Sequence, residues 1–362
     1  MKSLRSAAAL SACVMTALAL TACSETGSAG GDSAGTVEGL SGTTGNLVGE
    51  GASSQQNAMD YFNNRFQEAA GGSSLSYNAS GSGSGRTNFV AGQVDFAGSD
   101  SPLKDDQVEA AKKRCNGNEA WHLPMVIGPV AIAFHLDGVQ DLNLSVGTVA
   151  KIFSGAITSW NDPEIAKENE GVSLPDKRIS VIYRSDESGT SDNFQKFLKA
   201  STDWSSEGQQ FPTAVGAGAN GSNGVSTEVK NIDGAITYVE AGFAHQQNLG
   251  VAKLDFGHGP VAPTKDTVNS ALDKLSFTGE GHNMVVDTNA LYSMDQADTY
   301  PLVLTTYEIV CSAGYDDETR DLVKDFLTVS LNSQDEQLEQ LGYIPVAGTH
   351  RDRLDEAVKA IS

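Results

Sequence analysis

The sequence is poor in positive charge, in cysteine and in long apolar stretches. It has 24 Lys and Arg against 46 Asp and Glu, a formal net charge of −22, which argues against a nucleic-acid binder that contacts phosphate groups through a basic surface. Charged residues make up only 19% of the 362 residues and hydrophobic ones 39%, a composition typical of folded proteins rather than disordered acidic tails. This length predicts about two domains.

The N-terminal segment has the three-part layout of a secretory signal. Lys2 and Arg5 precede a small, apolar run over residues 7–20, and Leu20-Thr21-Ala22-Cys23 follows. This tetrapeptide is similar to a bacterial lipobox, whose Cys is diacylated after cleavage; the alternative is an ordinary signal peptide with an incidental Cys. We predict a signal peptide over residues 1–22 and a lipid anchor at Cys23 that holds the protein on the extracytoplasmic membrane surface.

Three further features fit an exported protein. Residues 23–42 are rich in Gly, Ser and Thr, which predicts a flexible tether. No later stretch approaches the roughly 20 consecutive apolar residues of a membrane span. With Cys13 in the signal and Cys23 in the lipobox, only Cys115 and Cys311 remain, and we predict a disulfide between them; the alternative is two buried free thiols.

Apolar runs alternate with segments of helical spacing. Residues 126–136 and 179–183 are typical of buried strands, whereas residues 59–69 show helical spacing. Strands that alternate with helices favour an α/β fold. Further candidate elements are a helix around residues 194–198, a strand over residues 302–310, and helices over residues 318–332 and 351–361.

Three clusters of Gly, Ser and Thr fall where helices are expected to begin. They span residues 49–56, 80–87 and 184–191. The first backbone N–H groups of a helix and its positive dipole end favour an oxyanion, glycine lets the backbone approach closely, and hydroxyls add donors. Each cluster alone is also what an ordinary helix cap contains, so the alternative is three structural turns.

The sequence matches the known motifs of enzymes and cofactor sites only partly or not at all. Residues 80–87 imitate a P-loop, but Ser80 and Arg86 replace its first glycine and its lysine. Residues 216–221 match G-x-G-x-x-G without a predicted strand before them, and we interpret them as a flexible loop. The six histidines are scattered without metal-ligand spacing, and there is no C-x-x-C. We therefore predict no metal, no cofactor and no enzymatic activity.

Read together with residues 94–103, the three clusters strongly resemble the phosphate-binding receptors of phosphate-specific ABC transporters, the PstS type. The most specific segment is R-S-D-E-S-G-T-S at residues 184–191, which is similar to the family's R-x-D-x-S-G-T-S. The resemblance covers nearly the whole mature chain. Other segments that carry it are residues 152–162, 234–240, 305–307 and 342–345.

The resemblance implies a type II periplasmic-binding-protein fold, an α/β architecture of two lobes with mixed sheets flanked by helices and a ligand cleft between the lobes. Residues 43–126 together with 305–362 would form lobe I, and residues 127–304 lobe II. It also implies a monomer that binds inorganic phosphate and delivers it to the transmembrane permease of an ABC importer. The prediction that the protein does not bind nucleic acid comes from its net charge.

The resemblance also implies the residues around the anion. Arg184 would donate to phosphate and be held by Asp186, and the helix start after them would add hydroxyl and N–H donors. Asp100 would accept a hydrogen bond from a phosphate O–H, which sulfate lacks, and so discriminate between the two. Relatives often have Thr-Phe where this chain has Ser53-Ser54. The full implied set is Ser53, Ser54, Ser82, Asp100, Arg184, Asp186, Ser188, Gly189 and Thr190.

Three alternatives stay open. The ligand could be another tetrahedral oxyanion, such as arsenate, sulfate or a phosphonate. The protein could be an extracytoplasmic phosphoesterase with Ser188 or Ser82 as nucleophile, although neither serine has an evident histidine base or metal cluster beside it in the sequence. It could also be a surface interaction lipoprotein whose glycine clusters are only turns.

Overall fold

The computed structural model describes residues 37–362. The predicted signal peptide, the predicted lipidation site at Cys23 and most of the predicted tether lie outside the described residues. Within the described part, no helix is both long and apolar enough to cross a membrane. Residues 37–42 form neither helix nor strand, but Ser41 is held in place: its backbone N–H and its Oγ both donate to Asp325, at 2.9 and 2.7 Å.

The strands vary widely in length, from two residues to sixteen. They are β1 (Asn46–Gly51), β2 (Ser74–Asn78), β3 (Phe96–Ser99), β4 (Ala120–His135), β5 (Asn143–Ser145), β6 (Ser180–Arg184), β7 (Ala217–Ala219), β8 (Ala235–Glu240), β9 (Gly250–Val251), β10 (Lys253–Asp255), β11 (Pro260–Val261) and β12 (Val303–Cys311).

Helices follow most of the strands, and a 3₁₀ turn over Ser53–Gln55 leads directly into the first of them. They are α1 (Gln56–Ala69), α2 (Ser82–Val90), α3 (Asp105–Arg114), α4 (Val146–Phe153), α5 (Pro163–Glu168), α6 (Gly189–Ser201), α7 (Gly221–Asn231), α8 (Ala241–Gln246), α9 (Lys265–Leu272), α10 (Thr288–Tyr292), α11 (Asp317–Asn332), α12 (Glu336–Gln340) and α13 (Gly348–Ala360).

One mixed sheet organises these elements. Its strand order is β2-β1-β3-β12-β4-β8-β6-β7, with β9 also paired to β4, and a smaller sheet has the order β11-β10-β5. The strands β2, β1 and β3 are parallel to one another, as are β8, β6 and β7, whereas β12 and β4 run antiparallel to their neighbours. The predicted α/β class is confirmed.

The long strand β4 joins two halves of this sheet. Residues 120–129 of β4 pair with β12, and residues 130–135 pair with β8. We call β2, β1, β3 and β12 the β1 half, and β8, β6 and β7 the β6 half. The predicted lobe boundaries stay a prediction; one contact across them is that of Met284, from the predicted lobe II, whose N–H donates to the His122 carbonyl at 3.0 Å.

The predicted helices correspond to α1, α6, α11 and α13, and all the predicted strands are found, although β4 is longer than expected. The strands predicted at residues 126–136, 179–183 and 302–310 correspond to β4, β6 and β12. The strand β4 begins six residues earlier because a bulge admits Pro124, which cannot donate a ladder hydrogen bond: Thr306 pairs with Val126, but Tyr307 pairs with Pro124.

The predicted disulfide is present in the structure. Cys115, at the end of α3, is bonded to Cys311, the last residue of β12, and both are fully buried. The bridge closes a loop of 196 residues. In the chain-entropy account, closing a loop of this length destabilises the unfolded chain by about 5 kcal/mol through lost conformational entropy. The bridge also joins the two chain segments that lead into and out of the predicted lobe II.

Candidate anion-binding site

The three predicted clusters converge on one place. Each begins a helical segment directly after a strand: the 3₁₀ turn follows β1, α2 follows β2, and α6 follows β6. The clusters from the two halves of the sheet touch, since the Gly83 N–H donates to the Glu187 carbonyl at 3.0 Å. The first N–H groups of these segments have no partner within their own helix and carry the positive end of its dipole. Backbone N–H donors from the β1 half and from the β6 half therefore lie close together.

Arg184 provides the cation of this site. It is the last residue of β6 and is 2% exposed. Its Nε and Nη2 donate to the two carboxylate oxygens of Asp186 at 2.8 and 2.5 Å, while Nη1 donates to Thr190 Oγ1 at 3.2 Å and to Ser222 Oγ at 3.1 Å. Burial opposes the charged form of Asp186, but the hydrogen bonds and charge of Arg184 outweigh it and hold the pKa of Asp186 below its ordinary value.

The pair between Arg184 and Asp186 also fixes the cation. Burial favours the neutral form of Arg184, but the hydrogen bonds and charge of Asp186 and the charge of Glu240 raise its pKa further. A bidentate guanidinium pair sets the plane of the group, so the remaining Nη1 edge is directed to the hydroxyls of Thr190 and Ser222.

Asp100 is the acceptor of the site and comes from the other half of the sheet. It follows β3 and is 4% exposed. Its Oδ1 accepts from Ser54 Oγ at 2.6 Å and from Thr306 Oγ1 at 2.7 Å, which uses both lone pairs of that oxygen. Within the described part of the chain, its Oδ2 accepts only a long hydrogen bond, 3.3 Å, from Ser82 Oγ. Oδ2 is therefore the oxygen that can accept from a ligand.

The surroundings of Asp100 raise its pKa to about 6. The largest cause is burial, followed by the negative charge of Glu240; the hydrogen bonds from Ser54 and Thr306 oppose the shift. No cation contacts this carboxylate among the described residues. At neutral pH the ionised form predominates and is stabilised by hydroxyl groups rather than by a salt bridge.

The helix start at residues 188–190 meets Asp100 closely. Ser188 caps α6 by accepting from the Ser191 N–H at 3.1 Å, which leaves its own proton available. A Cβ at Gly189 would lie 2.5 Å from Ser82 Oγ and 2.6 Å from Asp100 Oδ2. Because carbon and oxygen do not approach so closely without strain, only glycine fits here.

The hydroxyl of Thr190, for which the resemblance implies a place around the anion, is hydrogen-bonded within the protein. Its Oγ1 donates to Glu240 Oε1 at 2.6 Å while it accepts from Arg184. A hydroxyl has one proton, so this group does not donate to an anion in this arrangement. Glu240 is 2% exposed, and its Oε2 has no hydrogen-bond partner among the described residues.

Three residues of the site were missed by the sequence analysis: Ser222, Glu240 and Thr306. Glu240 and Thr306 belong to segments that carry the resemblance, but each ends or lies within a strand, away from the helix starts. Ser222 lies in α7, directly after the segment interpreted as a flexible loop. That interpretation was wrong, because residues 217–219 form β7 and α7 begins at Gly221.

The segment around Ser222 is a fourth strand-to-helix turn. The Gly221 N–H donates to Asp186 Oδ1 at 3.1 Å, and the Ser222 N–H donates to Ser53 Oγ at 3.0 Å. Gly221 has a φ of +70°, which glycine adopts at little cost. Ser53 and Ser222 thus join the β1 half to the β6 half at the site. All of the serines predicted for the site, and Ser222, are at most 2% exposed.

A second buried guanidinium lies behind Ser82. Arg86 of α2 is 1% exposed; its Nη1 donates to the Pro102 carbonyl at 2.7 Å and its Nη2 to Gln209 Oε1 at 2.5 Å. Its charge faces Asp192, Glu187 and Asp100. The site thus combines hydroxyl, N–H and guanidinium donors with a carboxylate acceptor, which suits an anion that carries a proton of its own.

A buried, donor-rich site between two halves of a mixed sheet is typical of a solute-binding protein. A family model described as a PBP superfamily domain matches residues 36–334. The chain is 43% identical over 321 residues to Phosphate-binding protein PstS 3 of Mycobacterium tuberculosis, covering 87% of this chain and 86% of that protein. It is 41% identical to Phosphate-binding protein PstS 2 of the same organism, over all of both chains. The chain therefore belongs to the PstS family of the PBP superfamily.

Solved structures agree on the fold. A high-affinity periplasmic phosphate-binding protein, PfluDING, bound with phosphate, superposes with a TM-score of 0.70 at 22% identity, covering 86% of this chain and 93% of that one. Phosphate-binding protein from Stenotrophomonas maltophilia gives a TM-score of 0.66 at 23% identity, with 86% and 94% covered. The predicted type II periplasmic-binding-protein fold is confirmed.

Proposed function

We propose that this protein is an extracytoplasmic receptor that binds inorganic phosphate and delivers it to the permease of an ABC importer. The observation that carries the proposal is the meeting of Arg184 and Asp100 in one buried site. The first is a fixed cation and the second a carboxylate with one oxygen still able to accept. The homology of this chain to proteins named for phosphate binding supports the same ligand.

The donors of the site fit a tetrahedral anion. The Arg184 guanidinium contributes its charge and the second N–H of Nη2. The hydroxyls of Ser53 and Ser188, and the first N–H groups of the 3₁₀ turn and of α6, come from other elements. Such a set replaces the hydration shell of a multiply charged oxyanion with preformed dipoles. We assign these groups, together with Ser54, Ser82, Asp186, Gly189 and Thr190, to the binding site.

The acceptor provides the choice among anions. At neutral pH phosphate and arsenate carry protons, whereas sulfate carries none. Asp100 Oδ2 can accept from an O–H of phosphate, but against sulfate it would oppose a second acceptor in a buried site. An unpaired buried polar group costs about 1–3 kcal/mol, and more when charged. We expect phosphate and arsenate to bind and sulfate to be rejected.

Contacts across the site support a hinge mechanism. Asn193 Nδ2 of α6 donates to the Asp100 carbonyl at 2.6 Å, and Ser101 Oγ donates to Asp192 Oδ2 at 2.6 Å. We propose that residues 43–126 with 305–362 form one lobe, that residues 127–304 form the other, and that these bonds form when the lobes close on phosphate. A permease can distinguish loaded from empty receptor only if the two shapes differ.

We also propose that the protein acts as a monomer held on the membrane through a diacylated Cys23 after removal of residues 1–22. The support is the sequence pattern of the signal and lipobox. The test is mass spectrometry of the mature protein from the cell envelope: diacylated Cys23 at the new N-terminus supports the anchor, and an unmodified N-terminus elsewhere contradicts it.

The proposed ligand is tested by calorimetric titration of protein freed of ligand by unfolding and refolding. We expect saturable binding of phosphate and of arsenate, and no heat with sulfate at matched ionic strength. The control is D352N, at an exposed residue of the proposed lobe formed by residues 43–126 and 305–362, which should bind phosphate like the wild type. Equal affinity for sulfate and phosphate, or no binding of either by folded protein, would overturn the proposal.

A further inference from the structure

A buried acid and a buried amide lie directly behind the first anion-binding turn. Glu308, in the middle of β12, is 1% exposed, and Gln55, the last residue of the 3₁₀ turn, is fully buried. Gln55 Nε2 donates to Glu308 Oε2 at 3.3 Å and to the Tyr77 hydroxyl at 3.1 Å. The Tyr77 hydroxyl in turn donates to the Ala52 carbonyl at 2.9 Å.

The pair leaves two oxygens without a donor. Neither Gln55 Oε1 nor Glu308 Oε1 has a hydrogen-bond partner among the described residues, and both atoms are buried. Two such acceptors are costly, because each has lost its water without a replacement. A proton on Glu308 Oε1 provides the missing donor. The resulting O–H can donate a hydrogen bond to Gln55 Oε1, which completes a pair of hydrogen bonds between a carboxylic acid and an amide.

The charges around Glu308 favour that proton. The ionisable groups that face it are Tyr77 from β2 and Asp100 after β3, and its strand neighbours are Gly98 and Leu123. No cation offsets a negative charge here within the described part of the chain. Burial is the largest cause that raises the pKa of Glu308, to about 8; the Gln55 hydrogen bond lowers it and the charge of Asp100 raises it.

The pair is joined to the anion site through the backbone. Gln55 directly follows Ser53 and Ser54, and the Ala52 N–H donates to the Gly98 carbonyl at 2.8 Å. A Cβ at Gly98 would lie 2.2 Å from Gln55 Nε2 and 2.3 Å from the Tyr77 hydroxyl. The acid and amide therefore pack on the strand that leads to Asp100, as well as on the turn that carries the serines.

We propose that Glu308 is a positioning residue of the anion site: it is buried as the neutral carboxylic acid, and its proton locks Gln55 and thereby the turn of Ser53 and Ser54. Loss of that proton breaks the lock and weakens anion binding. The effect on anion binding rests on the proposed binding of phosphate, whereas the protonation of Glu308 does not.

The sign of the pH effect follows from proton linkage. The pKa of Glu308 is raised above its ordinary value of 4.5, so between pH 4.5 and about 8 the folded protein holds a proton that the unfolded chain has released. Glu308 therefore makes the free energy of unfolding fall with rising pH in this window. In E308Q the amide can donate to Gln55 Oε1 at every pH, so this contribution is absent.

The first experiment measures the thermal midpoint of ligand-free protein between pH 5 and pH 9. We expect the midpoint of E308Q minus that of the wild type to increase by at least about 2 °C across this range. The exposed Glu109 of α3 gives a matched control, since E109Q should run parallel to the wild type. Parallel curves for E308Q and the wild type would overturn the neutral acid.

The second experiment measures phosphate affinity at pH 6.5 and pH 9.5. The ratio of the E308Q dissociation constant to that of the wild type should fall by about threefold or more over this interval, because only the wild type loses the lock. Both proteins see the same ionisation of phosphate, which cancels in the ratio. A constant ratio would overturn the positioning role, whereas a wild type that binds no phosphate would overturn the proposed function instead.

A further variant separates positioning from packing. E308L removes both hydrogen bonds to Gln55 and should weaken phosphate binding at pH 6.5 by about tenfold relative to E308Q. Equal affinity of E308L and E308Q would contradict the positioning role. If E308L does not fold, the two pH experiments on E308Q still decide the question.

Discussion

The two sides of the anion site hold their charges in opposite ways. On the β6 half, Arg184 and Asp186 form a bidentate pair, in which each charge is satisfied by the other. On the β1 half, Asp100 has no cation in contact with its carboxylate among residues 37–362 and is held by the hydroxyls of Ser54 and Thr306. A paired cation can attract any oxyanion. An unpaired carboxylate can accept a hydrogen bond only from an anion that carries a proton. For the proposed function we therefore expect the Arg184 side to supply affinity and the Asp100 side to supply selectivity.

The largest effect is expected from breaking the Arg184 side. R184Q removes the cation proposed to bind phosphate, and loss of one partner of a buried, hydrogen-bonded charge pair costs about 2–5 kcal/mol of binding free energy. We expect phosphate affinity to fall by at least about a hundredfold. Calorimetric titration checks this, with R178Q as the control, since Arg178 is exposed at the approach to β6. Affinity within tenfold of the wild type would contradict the assigned role of Arg184.

The next effect comes from forcing the two sides apart. In G189A the new methyl group would meet Ser82 Oγ and Asp100 Oδ2 at 2.5 and 2.6 Å, so the helix start and Asp100 must separate. Overpacking of this kind costs about 1–3 kcal/mol, and we expect phosphate affinity to fall by about tenfold or more. The control is G147A, because the nearest described atom outside its own helix backbone and chain neighbours would be Ser145 Oγ, at 3.9 Å from the new Cβ. Unchanged affinity in G189A would show that the two sides need not meet.

A smaller effect is expected from pH, and it acts on the Asp100 side alone. The pKa of Asp100 is raised to about 6, mainly by burial. Below that pH the carboxyl gains a proton and can donate to a sulfate oxygen, whereas the pKa of Asp186 is held low and the Arg184 pair persists. The preference for phosphate over sulfate should therefore shrink by several-fold between pH 7.5 and pH 5. Competition titrations at both pH values measure it, and a constant preference would count against Asp100 as the selecting group.

The same two sides differed in how well the sequence predicted them. Arg184, Asp186 and Thr190 lie within eight consecutive residues and meet in the structure through one strand-to-helix turn. A local motif of this kind can be recognised without the fold. The role of the Thr190 hydroxyl could not, because its partner Glu240 lies 50 residues away at the end of another strand.

The Asp100 side is assembled from distant segments. Thr306 reaches Asp100 across a separation of 206 residues, and only the pairing of β12 with β3 places it there. Ser222 was missed because β7 has three residues, Ala-Gly-Ala, which carry no apolar signal of a strand. Glu308 lies in a strand that is buried on both faces, so no alternation of polar and apolar residues marks it as special.

The most direct test of the account is the anion preference of D100N. Asparagine keeps the size of the side chain and can donate a hydrogen bond where aspartate accepts. We expect D100N to bind phosphate at least about tenfold more weakly than the wild type and to acquire measurable affinity for sulfate, since the opposed acceptors are gone. Both titrations are made at the same pH and ionic strength. If D100N still rejects sulfate as the wild type does, the assignment of affinity to Arg184 and of selectivity to Asp100 is wrong.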